Sequence, residues 1–212
     1  MSDKVAQARR HVVDIANRLF YERGYNETSF RDIAFASGIP SGNVYYYFRT
    51  KDDILRAVVE SRFAETENLL RAWDKTVPAP TSRIRAFVKM FRDKGQDMMR
   101  YGCPMGSLSS ELGKNQPRLM EDARILFDLF RDWLTEQFAA MGFEPDARQL
   151  ALHVLGRIQG IVMLSHVYSD EKLLVKELDD LEARIVSFAN PTSLGLGGDP
   201  LKDLLGKPNG SR

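Results

Sequence analysis

Asn43, Tyr45, Tyr46 and Tyr47 lie in one short run, preceded by Ser41 and Gly42 and followed by Lys51. An asparagine amide pairs bidentately with the N6/N7 edge of adenine, and a tyrosine at position 46 can reach a base edge or a thymine methyl. Tyr47, Thr28, Ser29 and Lys51 carry donors suited to phosphate oxygens, which set register without reading sequence. Backbone N–H groups near Gly42, at a helix start, suit a phosphate as well. Packing of a small domain is the competing use of tyrosine, and it fits Tyr45 in part.

A second group lies further along. Cys103 stands in Gly102-Cys103-Pro104, where a helix start is expected, and the helix dipole there favours a thiolate. A small residue packing a helix corner is the competing reading. Phe87, Phe91, Met98, Met105, Phe127, Phe130 and Trp133 form a Met- and aromatic-rich set that either lines an adaptable apolar pocket or is plain core. His153 and Arg157, at i, i+4, would orient one ligand group or meet a subunit interface. Gly156 and Gly160, also i, i+4, invite close approach of another helix. With Leu174, Leu178, Leu181 and Ile185 they are expected to form a four-helix dimer interface.

The elements that place these residues are helical throughout. Val5, Ala8, Val12, Ile15, Ala16, Leu19 and Phe20 form an amphipathic stripe over about Lys4–Arg23, closed by Gly24. Thr28 is the expected N-cap of a short helix bearing Phe30, Ile33 and Ala34 on one face, and Ala36-Ser37-Gly38 ends it. Ile39 plugs the turn and Pro40 opens a second short helix to about Phe48, with Val44 and Phe48 inward. This pattern is a helix-turn-helix, whose second helix enters a DNA major groove. A helix from Thr50 to about Asp74 follows, about 36 Å long at roughly 1.5 Å per residue. It could act as a lever. Helices are expected over Thr81–Tyr101, a short element after Gly102, Pro117–Met141, Asp146–Tyr168 and Asp170–Ala189. The Gly- and Pro-rich residues 191–212 are expected to be a disordered tail.

Composition narrows the function. The chain has 212 residues, net charge +1 and 43% hydrophobic residues, an ordinary globular balance. Residues 1–56 hold nine Lys/Arg against seven Asp/Glu, a weak basic tilt. One cysteine leaves no internal disulfide and points to a reducing compartment. No apolar leader follows Met1 and no stretch reaches the about 18 apolar residues of a spanning helix, so a cytoplasmic protein without membrane contact is expected. Three scattered histidines lack metal spacing, and neither a Gly-rich phosphate loop nor G-x-S-x-G is present. No enzyme activity, cofactor or metal is expected. The rival is a thiol-dependent enzyme, pairing Cys103 with His153 or His166, or a small-molecule carrier.

Thr28-Ser29-x-x-x-Ile33-Ala34-x-x-x-Gly38-Ile39-Pro40-x-Gly42-x-Val44-Tyr45-x-Tyr47-Phe48-x-x-Lys51 resembles the N-terminal signature of the tetracycline-repressor (TetR) family. The likeness covers the first quarter of the chain, and Pro40 stands where many members have serine. The segment from Gly102 to Glu111 resembles a motif of a TetR subgroup. Some of its members sense electrophiles or oxidants through this cysteine, and others bind drug-like or flavonoid-like compounds. The resemblance implies an all-α, nine-helix homodimer. A three-helix DNA-binding head (1–50) would precede a ligand-binding and dimerising body (51–190). It further implies a repressor released from a palindromic operator by a small-molecule inducer or by modification of Cys103. A transcriptional activator of the same fold is the alternative.

Overall fold

The computed structural model describes residues 3–189. The expected tail, 191–212, lies outside the described residues. Those described form helices and no strand: α1 (Asp3–Arg23), α2 (Phe30–Ser37), α3 (Ser41–Tyr47), α4 (Lys51–Thr76), α5 (Pro80–Asp93), α6 (Gly95–Tyr101), α7 (Pro104–Asn115), α8 (Pro117–Ala140), α9 (Ala147–Tyr168) and α10 (Glu171–Ala189). The all-α architecture is the expected one. The helix expected over Thr81–Tyr101 is interrupted at Lys94 (φ −96°, ψ 14°), so α5 and α6 together fill its place. Gly95 then lies so close to α10 that an added Cβ would sit 2.8 Å from a Leu174 methyl.

The chain forms two compact units. One holds residues 3–69 and 101–129, the other 70–100 and 130–189. The amphipathic stripe of α1 is buried in the first unit as its spacing requires, with Val12 and Ala16 fully covered beside Ile33, Val44, Ile54 and Leu55. Leu108 and Leu112 of α7 and Leu119, Ala123 and Leu126 of α8 belong to the same core. The helix-turn-helix is therefore held by helices far downstream in sequence as well as by α1.

The second unit is built on α5, α9 and α10. Ile84, Phe87, Val88 and Phe91 form the inner face of α5, and Leu150, Val154, Ile158 and Val162 that of α9. Two arginines of α5 reach Glu182 of α10: Arg85 Nε at 2.7 Å and Arg92 Nη2 at 3.0 Å. By length and composition α9 could cross a membrane, contrary to the expectation that no stretch would qualify. Its buried residues, however, are the core of this unit.

Candidate nucleic-acid interface

The helix-turn-helix is capped by short-range chemistry. Ser29, not Thr28, is the N-cap of α2. Its Oγ accepts the Asp32 N–H at 3.1 Å while Asp32 accepts the Ser29 N–H at 2.8 Å, a reciprocal box that stabilises a helix start by about 1 kcal/mol. The Ser29 hydrogen bonds hold the exposed Asp32 carboxyl below its usual range. Gly38 closes α2 at φ 67°, ψ 11°, a left-handed conformation that costs a side-chain-bearing residue about 1 kcal/mol or more. Pro40 precedes α3 as its N-cap, and its carbonyl accepts from Asn43 and Val44.

That scaffold sorts the expected DNA-contacting residues. Ser41, Gly42 and Asn43 are exposed at the start of α3, and Tyr46 is 71% exposed. Val44 and Phe48 are buried beneath them. Tyr45 is half exposed and stacks on Phe30, so it serves packing with one face. Tyr47 is partly buried against the core, its ring edge-on to Tyr46. Thr28 must be removed from the phosphate set. It is 1% exposed, and its hydroxyl donates to the Gly24 carbonyl at 2.7 Å. Lys51 is also turned inward, donating to the Tyr25 carbonyl at 2.8 Å with its ammonium over the Tyr25 ring. Burial pushes the Lys51 ammonium below its usual range.

Two exposed cations of the motif, Arg31 and Arg49, were absent from the sequence-derived set. Their only sequence signal was positive charge at positions the apolar periodicity leaves outward. From α1, Arg9 lies over the Phe48 ring and His11 Nε2 donates to the Ser37 carbonyl at 3.1 Å. The result is a short helix with a bare polar face, buttressed from behind and flanked by cations. Such a face fits a major groove, with phosphates taken by the cations beside it.

Comparison with known sequences agrees. The profile of the bacterial regulatory proteins of the tetR family matches residues 12–58, and that of the LmrA/YxaF-like transcriptional regulator C-terminal domain matches residues 80–176. The chain belongs to the TetR family. It is a DNA-binding transcriptional regulator. An uncharacterized HTH-type transcriptional regulator from the lacX 3′ region of Lactococcus lactis is 25% identical over 182 residues, 81% of this chain and 89% of that one. Another from Mycobacterium tuberculosis, Rv0196, is 29% identical over 177 residues, 76% of this chain and 86% of its own. In fold, a TetR-family regulator from Agrobacterium tumefaciens superposes with a TM-score of 0.76 at 21% identity, covering 85% of this chain and 98% of that one.

The remaining residues singled out in this TetR-family chain divide between the two units. Cys103, Met105 and Phe127 belong to the first. Cys103 is buried and is the N-cap of α7, with Pro104 at the first helical position. The guanidinium of Arg62, 8% exposed, donates to the Pro104 carbonyl at 2.8 Å and to Asn17 at 2.7 Å. Burial lowers the pKa of Arg62, and the neighbouring Cys103 works against that shift.

Phe87, Phe91, Met98, Phe130, Trp133, His153 and Arg157 belong to the second unit. The rings of Phe91, Phe130 and Trp133 all pack on Phe87, with centroids 5.0–6.0 Å apart. Arg157 Nη2 donates to Glu177 at 3.4 Å, and burial together with Arg157 lowers the pKa of His153. The α10 half of the expected dimer interface is corrected. Leu174, Leu178, Leu181 and Ile185 are at most 1% exposed within their own chain, so they are already spent on its core. Gly156 and Gly160 differ. A Cβ added at either meets nothing within 4 Å, and they share a helix face with exposed Leu152, Met163, Leu164 and Val167.

Proposed function

We propose that this TetR-family regulator is a cytoplasmic homodimeric repressor that leaves a palindromic operator when a small molecule binds it or Cys103 is modified. The observation that carries this reading is the exposed Ser41–Gly42–Asn43–Tyr46 face of α3, free above a buried Val44 and Phe48. One such face reads a half-site, so a two-fold pair is needed for a full operator. The outward stripe of α9, apolar and carrying two glycines, supports pairing through that helix. A monomer rarely leaves a large contiguous apolar patch in water.

Cys103 is the N-cap of α7, and the buried Arg62 guanidinium donates to the next residue's carbonyl, which supports a reading in which modification of this thiol disturbs α7. No specific observation favours the enzyme, carrier or activator readings, and we read the chain as non-catalytic. Selection of duplexes from a random pool should return inverted repeats with half-sites about one helical turn apart. Recovery of no sequence preference would overturn the reading. Inducer and operator must lower each other's affinity by the same factor. Cys103→Ser should abolish release by an electrophile while leaving operator affinity intact. Normal release by that variant removes the cysteine from the mechanism.

A further inference from the structure

Glu111 belongs to α7, yet its carboxylate lies in the turn that follows α1. One oxygen accepts the Tyr25 N–H at 2.8 Å and the other accepts the Asn26 N–H at 2.5 Å. Both amides lie past the last turn of α1, beyond Gly24 (φ +89°), and both take Glu111 as their acceptor. The seat is also shaped by a missing side chain. A Cβ at Gly24 would come 3.0 Å from a Glu111 oxygen, so a larger residue there would make the carboxylate give way by a few tenths of an ångström.

From the other side, Lys51 donates to the Tyr25 carbonyl, and its ammonium is close enough to attract Glu111. The Tyr25 hydroxyl meanwhile donates to Asp52. The backbone of one residue, Tyr25, is thus held by side chains distant in sequence. Water could satisfy the Asn26 amide, since Asn26 is exposed, whereas Tyr25 is a buried residue. A carboxylate gripping two successive N–H groups adds direction, because charge-assisted hydrogen bonds are roughly twice as strong as neutral ones and hold a tighter geometry.

Three residues beyond Tyr25 the chain reaches Thr28, Ser29 and the capped start of α2. The grip therefore sits where the helix-turn-helix leaves α1. The start of α7 is tied to the same unit. The Gly102 carbonyl accepts from Tyr21 at 3.0 Å, and the Pro104 carbonyl accepts from Arg62. One helix thus runs from Cys103 at its N-cap to Glu111 on the turn.

We propose that Glu111 is a positioning residue for DNA binding, a carboxylate latch through which α7 sets the angle of the helix-turn-helix on α1. The latch rests on the reading that the exposed face of α3 contacts DNA. A hydrogen bond of this kind is lost once donor and acceptor are about 3.6 Å apart. A displacement of α7 by about 1 Å must therefore either break it or drag the turn along. A disturbance at Cys103 reaches the reading head by this route without passing through α4.

The test uses the full-length chain with Glu111→Ala and Glu111→Gln. Two readouts are taken. One is amide hydrogen exchange at Tyr25 and Asn26 without DNA, and the other is binding to a duplex the wild type selects from a random pool, beside a shuffled duplex. The expected result for Glu111→Ala is exchange about tenfold faster at those two amides, and about tenfold weaker binding to the selected duplex, a loss of one hydrogen bond's worth. Binding to the shuffled duplex should not change. Glu111→Gln, which keeps the length and one acceptor oxygen, should recover part of both and remains informative if the alanine variant does not fold. Wild-type exchange and wild-type selected binding in Glu111→Ala would overturn the latch, as would an equal loss on both duplexes. Failure of the wild type to select any duplex overturns the DNA reading instead, and the exchange measurement still decides whether the latch exists.

Discussion

The phenyl ring of Phe30 lies parallel to the ring of Tyr45, 19° off coplanar with centroids 4.2 Å apart. The stack joins the first residue of α2 to the middle of α3, so Tyr45 helps fix the angle between the two helices. Tyr46, one residue on, stands 71% exposed. Tyr45→Ala should therefore cost about 1–2 kcal/mol of stability and weaken DNA binding secondarily. Tyr46→Ala should stay within about 0.5 kcal/mol of wild type and lose selected-duplex affinity directly. Urea unfolding beside fluorescence anisotropy separates the two, and equal stability losses would refute this division.

Arg49 and Lys51 are expected to part company in salt. Arg49 is exposed just after α3, whereas Lys51 is committed to the Tyr25 carbonyl and ring. Arg49→Ala should weaken binding to selected and random duplexes alike and reduce the slope of log K against log salt by about 1. Lys51→Ala should change that slope less and lower the melting temperature more. The measurement is a salt titration of binding for each variant, and a larger slope change for Lys51→Ala would show that its ammonium leaves Tyr25 for a phosphate.

Glu182 makes acid stability partly predictable. Burial pushes its carboxyl up, but hydrogen bonds and attraction from Arg85 and Arg92 outweigh that and hold it below its ordinary 4.5. A depressed folded pKa means the folded chain binds fewer protons than the unfolded chain in this range. The stabilisation is present above pH 4.5 and is lost as pH falls through the lower folded value. Urea unfolding from pH 6 to about 3 should show a shallower acid-side decline for Glu182→Gln than for wild type. Parallel declines would show that the carboxylate contributes nothing net.

Gly156 offers a clean test of pairing through α9. Because a Cβ there meets nothing within 4 Å beyond the local backbone of its own helix, Gly156→Leu should leave the helical content intact. Within the chain it should even gain about 0.5–1 kcal/mol of helix propensity. If a second copy packs on this face, the same change should displace it and lower the sedimenting mass to that of a monomer. An unchanged dimer would place the interface elsewhere.

What could be known from sequence alone was whatever depends on neighbours a few residues apart. Helical periodicity, Gly24 and Gly38 as left-handed stops, and the inward Val44 and Phe48 all follow from i, i+3 and i+4 spacing and local backbone sterics. The family resemblance rode on those same positions. Three-dimensional packing decided the rest. Thr28 and Ser29 are adjacent and chemically alike, and only the fold turns one hydroxyl onto Gly24 and leaves the other to cap α2. Leu174, Leu178, Leu181 and Ile185 show the stripe of any buried helix face, and periodicity does not say whether the covering surface belongs to the same chain. Glu111 closes the Gly102–Glu111 motif, but nothing in that motif pointed to what its carboxylate holds. Its partners, Tyr25 and Asn26, are 86 and 85 residues away and offer only backbone N–H groups, which every residue but proline possesses.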